Sequence, residues 1–183
     1  MPWSATQRQR LAFEKSLLEK YFSNRVTWID PTGDTKVEVR VTCSNDKQYT
    51  LRVYLPQDFP NSVPPMIVKT PWMTTLKKRD GRELHGVADH TYGTRDGCTQ
   101  ICHFKPGLWK DNNTLYQVIM KGLIWLEAYE AHLRTGATLN RYLAEMWMIS
   151  CSLFCSRSRF SCCMQATRFK VYDYVSCSIA LLR

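Results

Sequence analysis

Between residues 85 and 103 the chain gathers His85, His90, Cys98, Cys102 and His103, the residue types that supply nucleophiles, proton acceptors and soft metal ligands. A cysteine can take an acyl group as a thioester and yield it to an amine or another thiol without a cofactor. The same thiols and imidazoles suit zinc, with Cys98, Cys102 and two of the histidines as ligands, although their spacing is irregular. A third reading makes them ordinary loop and edge residues, with Cys102 a small hydrophobe after Ile101. Thiol chemistry needs reduced cysteines. No apolar run approaches the ~18 residues of a membrane span, and Met1 to Arg10 lack the apolar stretch of a secretory signal. A cytoplasmic setting is therefore expected, with no membrane association and with the cysteines mostly reduced.

The elements that must position these groups have readable patterns. Ser4-x-x-Gln7 has the form of a capping box, and Leu11, Leu17, Leu18, Tyr21 and Phe22 follow at helical spacing, which predicts a first helix ending near Phe22. Arg8, Arg10, Lys15 and Lys20 form its polar face. A short strand over 26–30 precedes turn chemistry at Pro31 to Asp34. Val37, Val39, Val41 and Cys43 then alternate with charged residues, and after a turn over 44–47 the alternation returns at Tyr49, Leu51, Val53 and Leu55. Four prolines between Pro56 and Pro65 exclude a sheet interior there and make the segment a stiff crossover. Met66 to Val68 resumes as a strand, Lys77 to Gly81 reads as an exposed charged loop, and the stretch from there to Trp109 has no clean period. Asn112 or Asn113 is the expected cap of a long helix carrying Leu115, Val118, Ile119, Leu123, Leu126, Tyr129 and Leu133, ended by Gly136. Leu139, Tyr142, Leu143 and Met146 predict a last short helix.

Helix, antiparallel meander, proline-rich crossover, cysteine-bearing loop, tryptophan and helix occur in the order found in the ubiquitin-conjugating enzyme family, and the chain resembles that family over about 4–146. Leu55-Pro56-x-x-Phe59-Pro60 followed by Pro64-Pro65 is similar to the family's aromatic-proline signature. Trp109 with Thr114 five positions on reproduces the spacing of its Trp-x-Pro-x-x-Thr segment, with Asp111 at the proline. Ile101-Cys102 matches its catalytic Ile-Cys. His90-Thr91-Tyr92 stands where the family has His-Pro-Asn, and His103 follows the cysteine in place of Leu. These departures resemble the divergent, bacterial-style conjugating domains.

The resemblance implies an α+β fold with an N-terminal helix, a four-stranded antiparallel meander sheet, an active-site loop and C-terminal helices. It implies a thioester-forming transferase with Cys102 as acyl carrier, His90 supporting the loop, and Tyr92, or else Asn112 or Asn113, stabilising the oxyanion. His103, if protonated and close, would lower the Cys102 pKa, and Trp109 would border the groove. The implied partners are a ubiquitin-like modifier, an activating enzyme docking near Arg8, Arg10 and Lys15, and a ligase or target protein approaching Pro64, Pro65 and Trp109. No cofactor or metal is implied. A non-catalytic relative that binds ubiquitin-like proteins is the main alternative, and a zinc-binding adaptor the second.

Residues 1–146 form the expected domain. Residues 147–183 hold Cys151, Cys155, Cys162, Cys163 and Cys177 among many serines, with no steady period and without paired C-x2-C spacing, so an irregular or disordered tail is expected. The net charge of +9 is dispersed and forms no basic stripe interleaved with aromatics, which argues against nucleic acid as a partner.

Overall fold

A computed structural model describes residues 2–72 and 74–143, apart from the Pro106 side chain; the expected 147–183 tail and the Met146 end of the last helix lie outside the described residues. Helix α1 (Ala5–Phe22) begins at the anticipated Ser4/Gln7 capping box, in which each side chain accepts the other's backbone N–H. Strands β1 (Val26–Ile29), β2 (Lys36–Thr42), β3 (Gln48–Tyr54) and β4 (Met66–Lys69) pair antiparallel in succession. This is the expected meander, but the sheet does not stop there. Strands β5 (Thr91–Arg95) and β6 (Cys98–Ile101) form a hairpin that joins at β4, giving six strands in the order β1-β2-β3-β4-β6-β5.

The two extra strands come from the stretch in which no period was legible. Arg95 pairs with Cys98, so Asp96-Gly97 forms a two-residue turn with φ of 51° and 71°. Positive φ at both central positions is what a primed hairpin turn requires, and Asp-Gly supplies it at little steric cost. A four-residue strand with a bulged partner is too short to establish an alternation by itself.

Helix α2 (Leu115–Thr135) and α3 (Leu139–Leu143) complete the chain. Thr114, with Gln117 in a second capping box, caps α2. Asn112 and Asn113 lie in the preceding turn, correcting the expectation that one of them caps; a Thr three residues before Gln satisfies two orphan N–H groups at once, which a lone Asn does not. Gly136 ends α2 in the left-handed conformation at φ 78°, as its type predicts.

Alternation decides what α2 covers. Val37, Val39, Val41, Leu51, Val53, Met66, Val68 and Ile101 share the inner face and pack with Leu115, Val118, Ile119, Trp125 and Leu126 in one core. The helix approaches the sheet most closely at Gly122, where an added Cβ would stand 2.7 Å from Leu51 Cδ1 and Met66 Cε. On the outer face, Glu38 takes ion pairs from Arg52 and Lys69, and Tyr54, Ile67 and Cys98 form a small apolar cluster. Among the described residues no helix is long and apolar enough to cross a membrane.

Glu14 joins α1 to α2. Its side chain is fully buried, accepts from Leu115 N–H at 2.8 Å and pairs with Arg10 at 2.8 Å. The carboxylate thus meets an unpaired N–H at the positive end of α2, while burial, the dominant influence, raises its pKa.

Candidate functional site

Cys102 follows the last residue of β6, and its backbone continues the β5–β6 ladder: its N–H donates to His90 O at 2.8 Å. The same carbonyl accepts from Trp125 Nε1 at 3.1 Å, so a core tryptophan of α2 holds the backbone opposite the cysteine. His90 turns the chain into β5 with a left-handed φ of 52°, and its ring, buried against α3, shares a 3.1 Å hydrogen bond with Asn140 Oδ1. The histidine expected to support the loop thus links it to two helices.

Thr91 pairs with Ile101, and both face the core. Tyr92 and Cys102, each one residue further along its strand, therefore turn to the other face as a diagonal pair, a separation an aromatic side chain can bridge. Register shifts between Thr91 and Thr94, where Tyr92 and Gly93 together oppose Gln100 in a bulge with Gly93 at φ 89°. A bulge bends and re-aims its strand, and here the Tyr92 hydroxyl lies 3.1 Å from Cys102 Sγ.

Exposure singles out this thiol. Of the cysteines among the described residues, Cys43 and Cys98 are buried and Cys102 is partly exposed, while Tyr92 is 54% exposed beside it. Burial raises the Cys102 pKa and the Tyr92 hydroxyl lowers it, the first being larger. The Tyr92 phenol is itself pushed up to about 12, by burial first and then by the adjoining sulfur. At neutral pH the pair is thus a thiol and a phenol, with the phenol available to donate to a developing negative charge. Cys43, beneath the β2–β3 turn, is pushed up to about 12 by burial and by Glu127 and Glu130, which marks it as inert packing.

His103 is not the activating cation that its position beside Cys102 suggested. The ring is fully buried, and its pKa is lowered to about 4, by desolvation first and by Lys121 among the lesser causes; at neutral pH it carries no charge. Adjacent residues on an extended chain point to opposite faces, and His103 turns inward where Cys102 turns out. Phe104 carries Lys121 Nζ 3.5 Å from its ring centroid and meets Trp109 edge-on at 5.1 Å. Trp109 donates to Pro60 O at 2.8 Å, tying the segment after the cysteine to the proline crossover.

The remaining candidates are placed elsewhere. Arg10 donates to Asp111 O and Asn113 O besides its pair with Glu14, so its guanidinium joins α1 to the turn before α2. Arg8 donates to Trp3 O, and Lys15, exposed, faces Glu19 at 3.9 Å. Pro64 is buried and Pro65 half-buried. Asn112 and Asn113 precede Thr114 in the α2 turn, where Asn113 N–H donates to Lys110 O. Cys98 packs with Tyr54 and Ile67 on the outer face and His85 is exposed; among the described residues no three His, Cys, Asp or Glu side chains converge to hold a metal ion. The charged loop at Lys77–Gly81 is anchored: the backbones of Lys77 and Glu83 pair in an isolated antiparallel bridge, and the Lys78 side chain pairs with the buried carboxylate of Asp89 at 2.8 Å.

The fold and this site together describe an α+β protein with a partly exposed thiol at one end of a sheet, backed by a phenol. No protein-family model, curated protein or solved structure matches the chain.

Proposed function

We propose that the chain is a ubiquitin-conjugating-type transferase that carries a ubiquitin-like modifier as a thioester on Cys102 and passes it to an amine or another thiol. The observation that carries this reading is the Cys102–Tyr92 pair: a partly exposed sulfur with a hydroxyl 3.1 Å away. The Cys102 thiolate attacks the carbonyl carbon of a thioester presented by the activating enzyme. Its electron pair forms the new C–S bond, and the carbonyl pair moves to oxygen. Tyr92 donates to that oxyanion, and collapse expels the donor thiolate. The elevated Cys102 pKa disfavours the free thiolate, so only the deprotonated fraction attacks: the thiol gives its proton to water beforehand and the expelled donor thiolate takes one up afterwards. The order of elements, with the cysteine following the proline crossover and preceding Trp109 and a long helix, supports the same reading.

Incubation with activating enzyme, modifier and ATP, followed by non-reducing electrophoresis, tests it. The expected product is an adduct that reductant removes. Cys102→Ala should abolish it, and Cys102→Ser should convert it to an ester that survives reductant. Absence of any adduct across the ubiquitin-like modifiers with their activating enzymes would replace this reading with that of a non-catalytic binding protein.

A further inference from the structure

We propose that the loaded chain hands its modifier to a thiol of the acceptor protein in preference to a lysine amine. This inference rests on the thioester reading above and narrows it to one substrate class. A lysine arrives as an ammonium ion and must lose a proton before its nitrogen can attack, whereas a thiol with an ordinary pKa already supplies a few per cent of thiolate near neutral pH. An amine-transferring site therefore needs a proton acceptor near the sulfur. A thiol-transferring site needs only charge stabilisation.

The groups around Cys102 fit the second description. Tyr92, the hydroxyl in contact with the sulfur, keeps its proton at physiological pH and so acts as donor and not base. His103 is buried, uncharged and turned towards the Ile101 and Pro64 carbonyls. The His90 ring is buried against Asn140. The Asp89 carboxylate, next in the chain, accepts from His85 N–H at 2.7 Å and pairs with Lys78. Among the described residues, burial and the Tyr92 hydroxyl are what act on the Cys102 thiol, and no ionised side chain contributes. Among these residues, the site offers an oxyanion donor without a base.

The transfer then balances without a co-reactant. The acceptor thiolate attacks the thioester carbonyl and a C–S bond forms. The oxyanion takes the Tyr92 hydrogen bond, and collapse breaks the bond to Cys102 Sγ, whose thiolate regains a proton from water.

The test uses the full chain loaded with ubiquitin, discharged under single-turnover conditions by N-acetylcysteine or by Nα-acetyllysine, each compared with the ubiquitin thioester of mercaptoethanesulfonate. The expected result is a protein-dependent acceleration of about tenfold or more with the thiol and less than about twofold with the amine. Tyr92→Phe should reduce the thiol acceleration by roughly tenfold, the scale of losing one oxyanion donor or somewhat below it. An amine acceleration equal to or above that for the thiol would overturn this inference and leave the thioester reading standing. Where ubiquitin does not load, the other ubiquitin-like modifiers are used with their activating enzymes, and failure to load any of them overturns both.

Discussion

The hydrogen bond between Tyr92 and Cys102 gives each residue a measurable signature. The tyrosine hydroxyl lowers the thiol pKa that burial raises, so Tyr92→Phe should leave Cys102 with a higher pKa than in the parent. Its alkylation by iodoacetamide should then be slower at neutral pH, with the rate–pH curve displaced to higher pH. A curve unchanged or displaced to lower pH would show that the hydroxyl does not stabilise the thiolate. His103 yields a second prediction. In an unfolded chain its imidazole protonates near pH 6.5, whereas in the fold it holds out until about 4. Acidification through that interval adds protons to the unfolded state alone, so this contribution to stability is complete above about pH 7 and falls by roughly 2 kcal/mol towards pH 4.5. Glu14, whose carboxyl is held above its usual range mainly by burial, acts in the opposite sense at the acid end. Comparing urea melts of the parent and His103→Gln across this range isolates the histidine: the variant should show the shallower loss.

Among the elements, the β5–β6 hairpin aims the site and the α1–α2 junction holds the frame. Gly93 sits in the bulge at φ 89°, with open space where a Cβ would stand. A Cβ there meets backbone strain and not a clash, and β-branching adds to the strain. Gly93→Val should cost about 1–2 kcal/mol, measured by thermal or denaturant melts, and by re-aiming Tyr92 it should slow Cys102 alkylation as Tyr92→Phe does. Normal alkylation in a folded Gly93→Val protein would show that the bulge does not place the tyrosine. At the junction, Glu14→Ala leaves Arg10 without its carboxylate and Leu115 N–H without its acceptor. The expected loss is roughly 3–5 kcal/mol, the scale for breaking a buried pair by removing one partner. Glu14→Gln, which keeps an acceptor for Leu115, should cost clearly less in the same denaturant series.

At the scale of the whole molecule, stability and site geometry depend on how closely α2 lies against the sheet. Gly122 permits that approach: a larger residue would press on Leu51 and Met66. Gly122→Val should therefore destabilise by about 1–3 kcal/mol through overpacking. Trp125, on the same helix, donates to the carbonyl that also receives the Cys102 N–H. The variant should consequently also change the protection of the Cys102 amide in hydrogen exchange.

How much of this was legible from residues varies with the range of the interaction. The capping box at Ser4, the meander through Leu55, the proline crossover and the Gly136 stop are local patterns with local causes, and they stand in the structure where the residues place them. Two further features are as local but speak less plainly beside their neighbours: Asp96-Gly97, a hairpin turn that lengthens the sheet to six strands, and Thr114-x-x-Gln117, which outcompetes two adjacent asparagines as the α2 cap. Composition and spacing alone determined an α+β chain with a cysteine beyond the last strand and before a long helix. Tertiary packing alone decided that Glu14 is buried, that His103 turns inward and stays uncharged, and that Tyr92 reaches the Cys102 sulfur. Those outcomes depend on strand register, a one-residue bulge and the helix laid over the inner face. They join residues distant in the chain, or on opposite faces of one strand, where no short-range pattern records which side is dry.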